Sequence, residues 1–226
     1  SAQDSRTAGE KIAHQLADPS LRGLFVLSEG THVNGSALVA GINDTLGAEV
    51  VVTGGLAGDG PRFERTWVLE GGLPCSDRVV AVGLYGRALT IGHGSRGGWG
   101  IFGPERRVTR SQGRVLYELD GKPALALYRD YLGDLADGLP ATGLLFPLSI
   151  TAGGDHDRAL VRTILAIDED SQSLVFAGDI PEGWRAQLMQ STPDRLIGGA
   201  EEAAAVAAAR SGGKPELAIA ISCVGR

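Results

Sequence analysis

With 226 residues, 43 % of them hydrophobic, the chain is long enough to bury a substantial core as one large domain or two closely joined ones. A formal charge of −6, from 27 acidic and 21 basic residues well mixed along the sequence, offers no basic face to a phosphate backbone and argues against nucleic acid as a partner. No apolar run approaches the roughly 20 residues that span a bilayer, and the amino end Ser1-Ala2-Gln3-Asp4-Ser5 lacks a positive stretch followed by an apolar one, so a cytoplasmic protein without membrane contact is expected.

In chain order, apolar spacing predicts a short helix over 7–17, stopped by Pro19, and then a strand over 23–28. Asn34 or Ser36 can cap a second helix that runs through Leu46 and closes at Gly47. The next strand, over 49–53, completes a β-α-β unit, whose crossover favours parallel pairing. Apolar runs at 66–69, 79–85 and 88–91 follow, separated only by turns of hairpin or short-loop length, which makes the sheet mixed. Strands at 107–109 and 115–119 lead to the turn Asp120-Gly121-Lys122-Pro123, which opens a helix through about Leu132. The second half reads as a strand over 144–150, in which Pro147 favours an edge or a bulge, a polar loop through His156, and strands near 161–167 and 174–177. Thr192 and Pro193 start a helix over 194–210, and the unbroken apolar run 217–224 reads as a buried closing strand. Residues 24–28 and 218–222 are alike, each placed to precede a helix.

The densest feature is a succession of glycine turns between residues 54 and 120: Gly54-Gly55-Leu56-Ala57-Gly58-Asp59-Gly60, Gly83-Leu84-Tyr85-Gly86, His93-Gly94-Ser95-Arg96-Gly97-Gly98-Trp99 and Thr109-Arg110-Ser111-Gln112-Gly113. Delivered by β-branched strands, such turns can hold backbone N–H groups and polar side chains at the rim of a small-ligand pocket. Gly92-His93-Gly94-Ser95-Arg96-Gly97 satisfies the dinucleotide pattern Gly-x-Gly-x-x-Gly, but Gly98-Trp99-Gly100 cannot continue a helix and the preceding unit is a hairpin, so the context fails. His93, Ser95, Arg96 and Trp99 bring imidazole, hydroxyl, guanidinium and indole to one loop; anion or zwitterion binding and a purely structural loop both remain open there. Asp59 either turns the chain or accepts a ligand amine, Arg62 and Arg65 bracket Phe63, and Arg110 ends a strand. A metal site is poorly supported, because His14, His32, His93 and His156 are scattered without ligand spacing. Cys75 and Cys223 do not make a disulfide framework and are expected as free thiols.

Several blocks together resemble the FIST family, named for F-box and intracellular signal transduction proteins, over nearly the whole chain. The amino-terminal portion is carried by Thr53–Gly60, Gly83-Leu84-Tyr85-Gly86, His93-Gly94-Ser95, Val108-Thr109-Arg110-Ser111 and Tyr117-Glu118-Leu119-Asp120-Gly121. The carboxy-terminal portion is carried by residues 128–133, Phe146-Pro147-Leu148, Arg162-Thr163-Ile164-Leu165, Gly178-Asp179-Ile180-Pro181-Glu182-Gly183 and Ser222-Cys223-Val224-Gly225-Arg226. The resemblance implies portions over 1–123 and 124–226, the second ending before the family does. It also implies a bacterial, non-enzymatic sensory module that binds an amino acid or small metabolite and relays to a histidine kinase or cyclic-dinucleotide enzyme, with a homodimer one way to cover the last strand. The fold expected is α+β, with mixed sheets flanked by helices in two related portions packed together, a layered α/β/β/α arrangement being one form. Asp59, Arg62, His93, Ser95, Trp99 and Arg110 are the candidate ligand residues from turn proximity and chemistry, and Cys223 from its block. The alternatives are a haem-binding nitric-oxide sensor with His93 or Cys223 as axial ligand, and an amide or ester hydrolase pairing Cys223 with His93. A pure interaction module would lack an enclosed polar pocket.

Overall fold

A computed structural model describes residues 2–62, 64–153 and 159–223, which divide into two compact units. The first runs to Arg96 and takes in Gly199–Ser222; the second is Gly97–Gly198 with Cys223. The units therefore interleave the portions 1–123 and 124–226.

The first unit begins with α1 (Ala2–Leu16), β1 (Leu21–Ser28), α2 (Gly35–Leu46) and β2 (Val51–Leu56). Asn34 caps α2 by accepting from the Ala37 N–H at 2.9 Å, and Gly47 closes it at φ +77°. β1 and β2 pair in parallel, from Gly23 opposite Val51 to Ser28 opposite Leu56. The strands β3 (Val68–Glu70) and β4 (Leu73–Cys75) form a hairpin whose turn, Gly71-Gly72, needs positive φ at both positions. Antiparallel to β1 on its other side lies β5 (Val79–Tyr85), giving the mixed order β2-β1-β5. The helices cover one face of this sheet with a core of Ala13, Leu24, Val26, Leu38 and Ile42. They cross backbone to backbone, since a Cβ on Gly9 would stand 2.2 Å from the Leu38 carbonyl oxygen and one on Gly41 2.2 Å from that of Arg6.

The second unit contains β6 (Trp99–Ile101), β7 (Arg106–Gln112), β8 (Val115–Leu119), β9 (Lys122–Pro123) and α3 (Ala124–Leu132). It continues with β10 (Leu148–Thr151), β11 (Leu160–Arg162), β12 (Ile164–Asp168), β13 (Ser173–Phe176) and β14 (Arg185–Ser191). These strands pair antiparallel in the order β11-β10-β14-β7-β8-β13-β12, with β6 on β14 and β9 on β8. Leu125 and Tyr128 of α3 pack with Val108, Leu116, Ile150, Ile164 and Phe176 as its core. The last helix, α4 (Pro193–Arg210), has its first turns in this unit and its remainder in the first. The chain is thus α+β, its described residues forming a mixed three-stranded sheet, a nine-stranded antiparallel sheet and the two-stranded β3–β4 hairpin. Among the described residues no helix is long and apolar enough to cross a membrane.

Four sequence expectations are corrected. Residues 88–91 are not a strand: Leu89 turns back to the Gly86 carbonyl, and the backbone then runs against α4, where a Cβ on Gly92 would meet the Ala207 carbonyl oxygen at 1.9 Å. The strand expected at 144–150 begins only at Leu148, because Ala141–Leu145 coil into a 3₁₀ turn and Pro147 has no N–H for a ladder. The run 161–167 is split between β11 and β12, on opposite ends of the sheet. Residues 217–223 form no strand and are exposed, Leu217 by 78 % and Ile219 by 59 %, because no β-strand edge pairs with them among the described residues; Val224 lies outside the described residues. Four strands, β4, β6, β9 and β14, were not anticipated. The loop at His156 and the aromatic Phe63 also lie outside the described residues.

Candidate functional site

The first unit carries an open groove of about 520 Å³, lined by Val39, Asn43, Ala48, Val50, Val51, Val52, Ile91, His93 and Arg210. Val39 and Asn43 stand one helical turn apart on α2, so both present the same edge of the helix. Ala48 to Val52 enter β2, whose far side has no further strand in the order β2-β1-β5. Ile91 reaches over β1, with its Cδ1 2.6 Å from where a Gly23 Cβ would stand. His93 follows Gly92 along the helix α4, and the last residue of α4, Arg210, donates from Nη1 to the His93 carbonyl at 3.1 Å. That contact holds the guanidinium at the His93 backbone. The result is an aliphatic wall with a guanidinium, an imidazole and an amide at its polar edge, the composition of a site for a small anion with an apolar body.

The glycines of the His93 segment serve packing. A Cβ on Gly94 would lie 2.0 Å from the Ala203 carbonyl oxygen, and the alanines Ala203 and Ala207 are small enough to let the strand-like backbone touch the helix. Arg96 adds an ion pair to Glu202 of the same helix at 2.7 Å. In the second unit, Gly98 makes the same kind of approach to the backbone of Arg195. The first two glycines of the Gly-x-Gly-x-x-Gly pattern, Gly92 and Gly94, are therefore accounted for by helix contact.

At the carboxyl end of β1 stands Glu29, only 1 % exposed. Its Oε1 accepts from the N–H groups of His32 at 2.6 Å and Val33 at 2.8 Å, and Oε2 from the N–H of Thr31 at 3.1 Å and its hydroxyl at 2.7 Å, with the Thr66 hydroxyl at 3.4 Å. Burial pushes this carboxyl up, but the Thr31 hydroxyl and the three N–H groups outweigh it and hold the group below its ordinary value. His32 Nδ1 lies 3.3 Å from both Glu29 Oε2 and Asp77 Oδ1. These three residues have the geometry to share a metal ion. The lone pairs of Glu29, however, already serve its own loop, so the cluster reads as a cap on the β1–α2 connection. In open α/β sheets ligands favour the carboxyl ends of parallel strands; here that end is filled by the Glu29 loop, and the groove opens at the amino end of β2.

The residues singled out from sequence fall in both units. Asp59 accepts from the N–H groups of Glu64 at 2.9 Å and Arg65 at 3.1 Å, the turn role, with Arg62 Nε 4.0 Å away. His93 lines the groove, while Ser95 lies two residues further along and its carbonyl accepts from Arg96. In the second unit Trp99 sits opposite Ser191 in the β6–β14 ladder, and Arg110 pairs with Glu118 at 2.9 Å and stacks on Tyr117 with its guanidinium carbon 4.8 Å from the ring centroid. Cys223 is exposed and, like Cys75, a free thiol. Sequence reasoning missed Asn43 and Arg210. The signal available was the one-turn spacing of Asn43 from Val39 and the position of Arg210 as the basic end of α4; neither names the partner segment.

Two family models match the chain, the FIST N domain over residues 1–122 and the FIST C domain over 124–226. The uncharacterized protein MJ1623 of Methanocaldococcus jannaschii is similar, at 35 % identity over 180 residues, which cover 69 % of this chain and 33 % of that protein. The chain thus spans about a third of the length of this curated relative. No solved structure matches it.

Proposed function

The chain belongs to the FIST family, whose domains act generally in sensing for signal transduction, and from that premise we propose that its first unit binds a small metabolite in the groove headed by His93 and Arg210. The observation that carries this reading is the joining of an aliphatic wall, Val39, Val50, Val52 and Ile91, to a polar edge of Asn43, His93 and Arg210 in one cleft of about 520 Å³. That volume lies within the range of small-molecule sites. The module is non-enzymatic in this reading, and its output is a signalling protein such as a histidine kinase or a cyclic-dinucleotide enzyme.

Thermal unfolding against amino acids, small carboxylates and haemin tests the proposal. A ligand at 100 times its Kd stabilises the native state by about 2.7 kcal/mol, a rise of about 5–10 °C for a chain of this size. Val39→Trp, at a half-exposed position of α2, fills the groove without entering the core and is expected to abolish the rise. An equal rise in Val39→Trp would place the ligand elsewhere. With haemin, a Soret band that His93→Ala removes would favour the haem alternative instead.

A further inference from the structure

Resting on the reading of this groove as the ligand site, we propose that it takes a branched aliphatic monocarboxylate lacking an amino group, in preference to the corresponding amino acid. The argument is one of charge inventory. The groove brings one guanidinium, that of Arg210, and among the described residues that line it there is no carboxylate. A guanidinium matches a carboxylate as a planar fork of donors, and the carbonyl of His93 anchors its Nη1 so that less side-chain freedom is lost on binding. The remaining wall is aliphatic and β-branched, suited to a short branched chain.

An amino acid would carry an ammonium into the same space. A desolvated ammonium needs a carboxylate or several carbonyl oxygens, and a site built for it supplies them. The nearest acids in sequence do not serve: Asp44, beside Asn43, is paired with Arg6, and Glu49 is exposed and not among the lining residues. Two helices end here, and helix C-termini favour cations, but the effect is confined to the last turn and screened by salt. At α4 the terminal residue is itself Arg210, and at α2 the Asn43 carbonyl is occupied by the Gly47 N–H. Among the lining side chains the neutral acceptors are the Asn43 oxygen and one ring nitrogen of a neutral His93, and two neutral acceptors do not replace the hydration of an ammonium.

Three ligands that share a 3-methylbutyl chain separate the contributions: 4-methylpentanoate, L-leucine and 3-methylbutylamine, titrated calorimetrically into the full chain and into Arg210→Gln. The expected result is binding of 4-methylpentanoate about tenfold tighter than L-leucine, which corresponds to about 1.4 kcal/mol, and no binding of the amine. In Arg210→Gln, shown to remain folded by circular dichroism, the carboxylate is expected to lose at least about tenfold in affinity, the loss of a charge-assisted pair. L-Leucine binding as tightly as 4-methylpentanoate, with both weakened by Arg210→Gln, would overturn the preference and leave the groove as the ligand site. Binding of 4-methylpentanoate unaffected by Arg210→Gln would overturn the assignment of Arg210. Failure of all three ligands to bind would overturn this proposal, and metabolite-induced stabilisation that Val39→Trp still abolishes would show that the groove reading survives it.

Discussion

Replacing Glu29 by glutamine changes one atom and keeps the shape of a side chain that is 1 % exposed. In the native loop both carboxylate oxygens accept, Oε1 from two backbone N–H groups and Oε2 from one, together with the Thr31 hydroxyl. The amide has one acceptor oxygen, so whichever way it sits its NH₂ faces at least one backbone N–H, that of Thr31 or those of His32 and Val33. An unsatisfied buried donor costs about 1–3 kcal/mol, and the surviving bonds lose the strength that a charged acceptor lends them. A total of about 3 kcal/mol lowers the melting temperature by about 6–12 °C in a chain of this size. The effect also has a pH sign. The folded carboxyl lies below its ordinary value of 4.5, so its contribution is complete above that pH and is lost as pH falls through the lower folded value. Parent and variant, melted by circular dichroism at pH 7 and stepwise into acid, should differ most at neutral pH and converge in acid. A Glu29→Gln chain that melts within about 1 °C of the parent at pH 7 would refute the assignment of Glu29 as the cap of this loop, given the cost of an unmet donor.

Gly94→Ala should destabilise by about 2–3 kcal/mol, because the new Cβ would stand 2.0 Å from a helical carbonyl that cannot move independently of α4; urea unfolding at parental stability would show that the segment does not lie on the helix. Tyr128→Phe should cost about 1–2 kcal/mol, since the buried hydroxyl donates to the Phe146 carbonyl at 2.6 Å. Burial raises the Tyr128 pKa, so its contribution is present below the ordinary value of 10.0 and is lost as pH rises beyond it. The parent should therefore lose stability in strong alkali more steeply than Tyr128→Phe, and identical alkaline profiles would contradict that.

The site was only partly legible. His93 was reached from its glycine-flanked loop, and the structure puts it in the groove, but the same glycines proved to be a helix contact rather than a ligand rim. Arg110 looked available in sequence because nothing there shows that Glu118 and Tyr117 lie across the β7–β8 hairpin to engage it. Arg210 ends a helix whose alanine-rich run says only that something packs closely, and the partner is a segment 117 residues earlier.

Local, short-range physics was sufficient for the β-α-β unit, whose Asn34 cap, Gly47 closure and parallel pairing are all written within a few residues of where they act. It was sufficient also for β5 and for the helices α2 and α4. Pairing was another matter. β14 carries arginine, glutamine and serine among its seven residues and looks like a loop, yet it is central because β10 and β7 both offer it an edge. Residues 217–223 have the apolar character of a strand and are not one, because no strand pairs with them among the described residues. A strand is defined by its partner's hydrogen bonds and a groove by walls distant in sequence, so only the tertiary structure decides either.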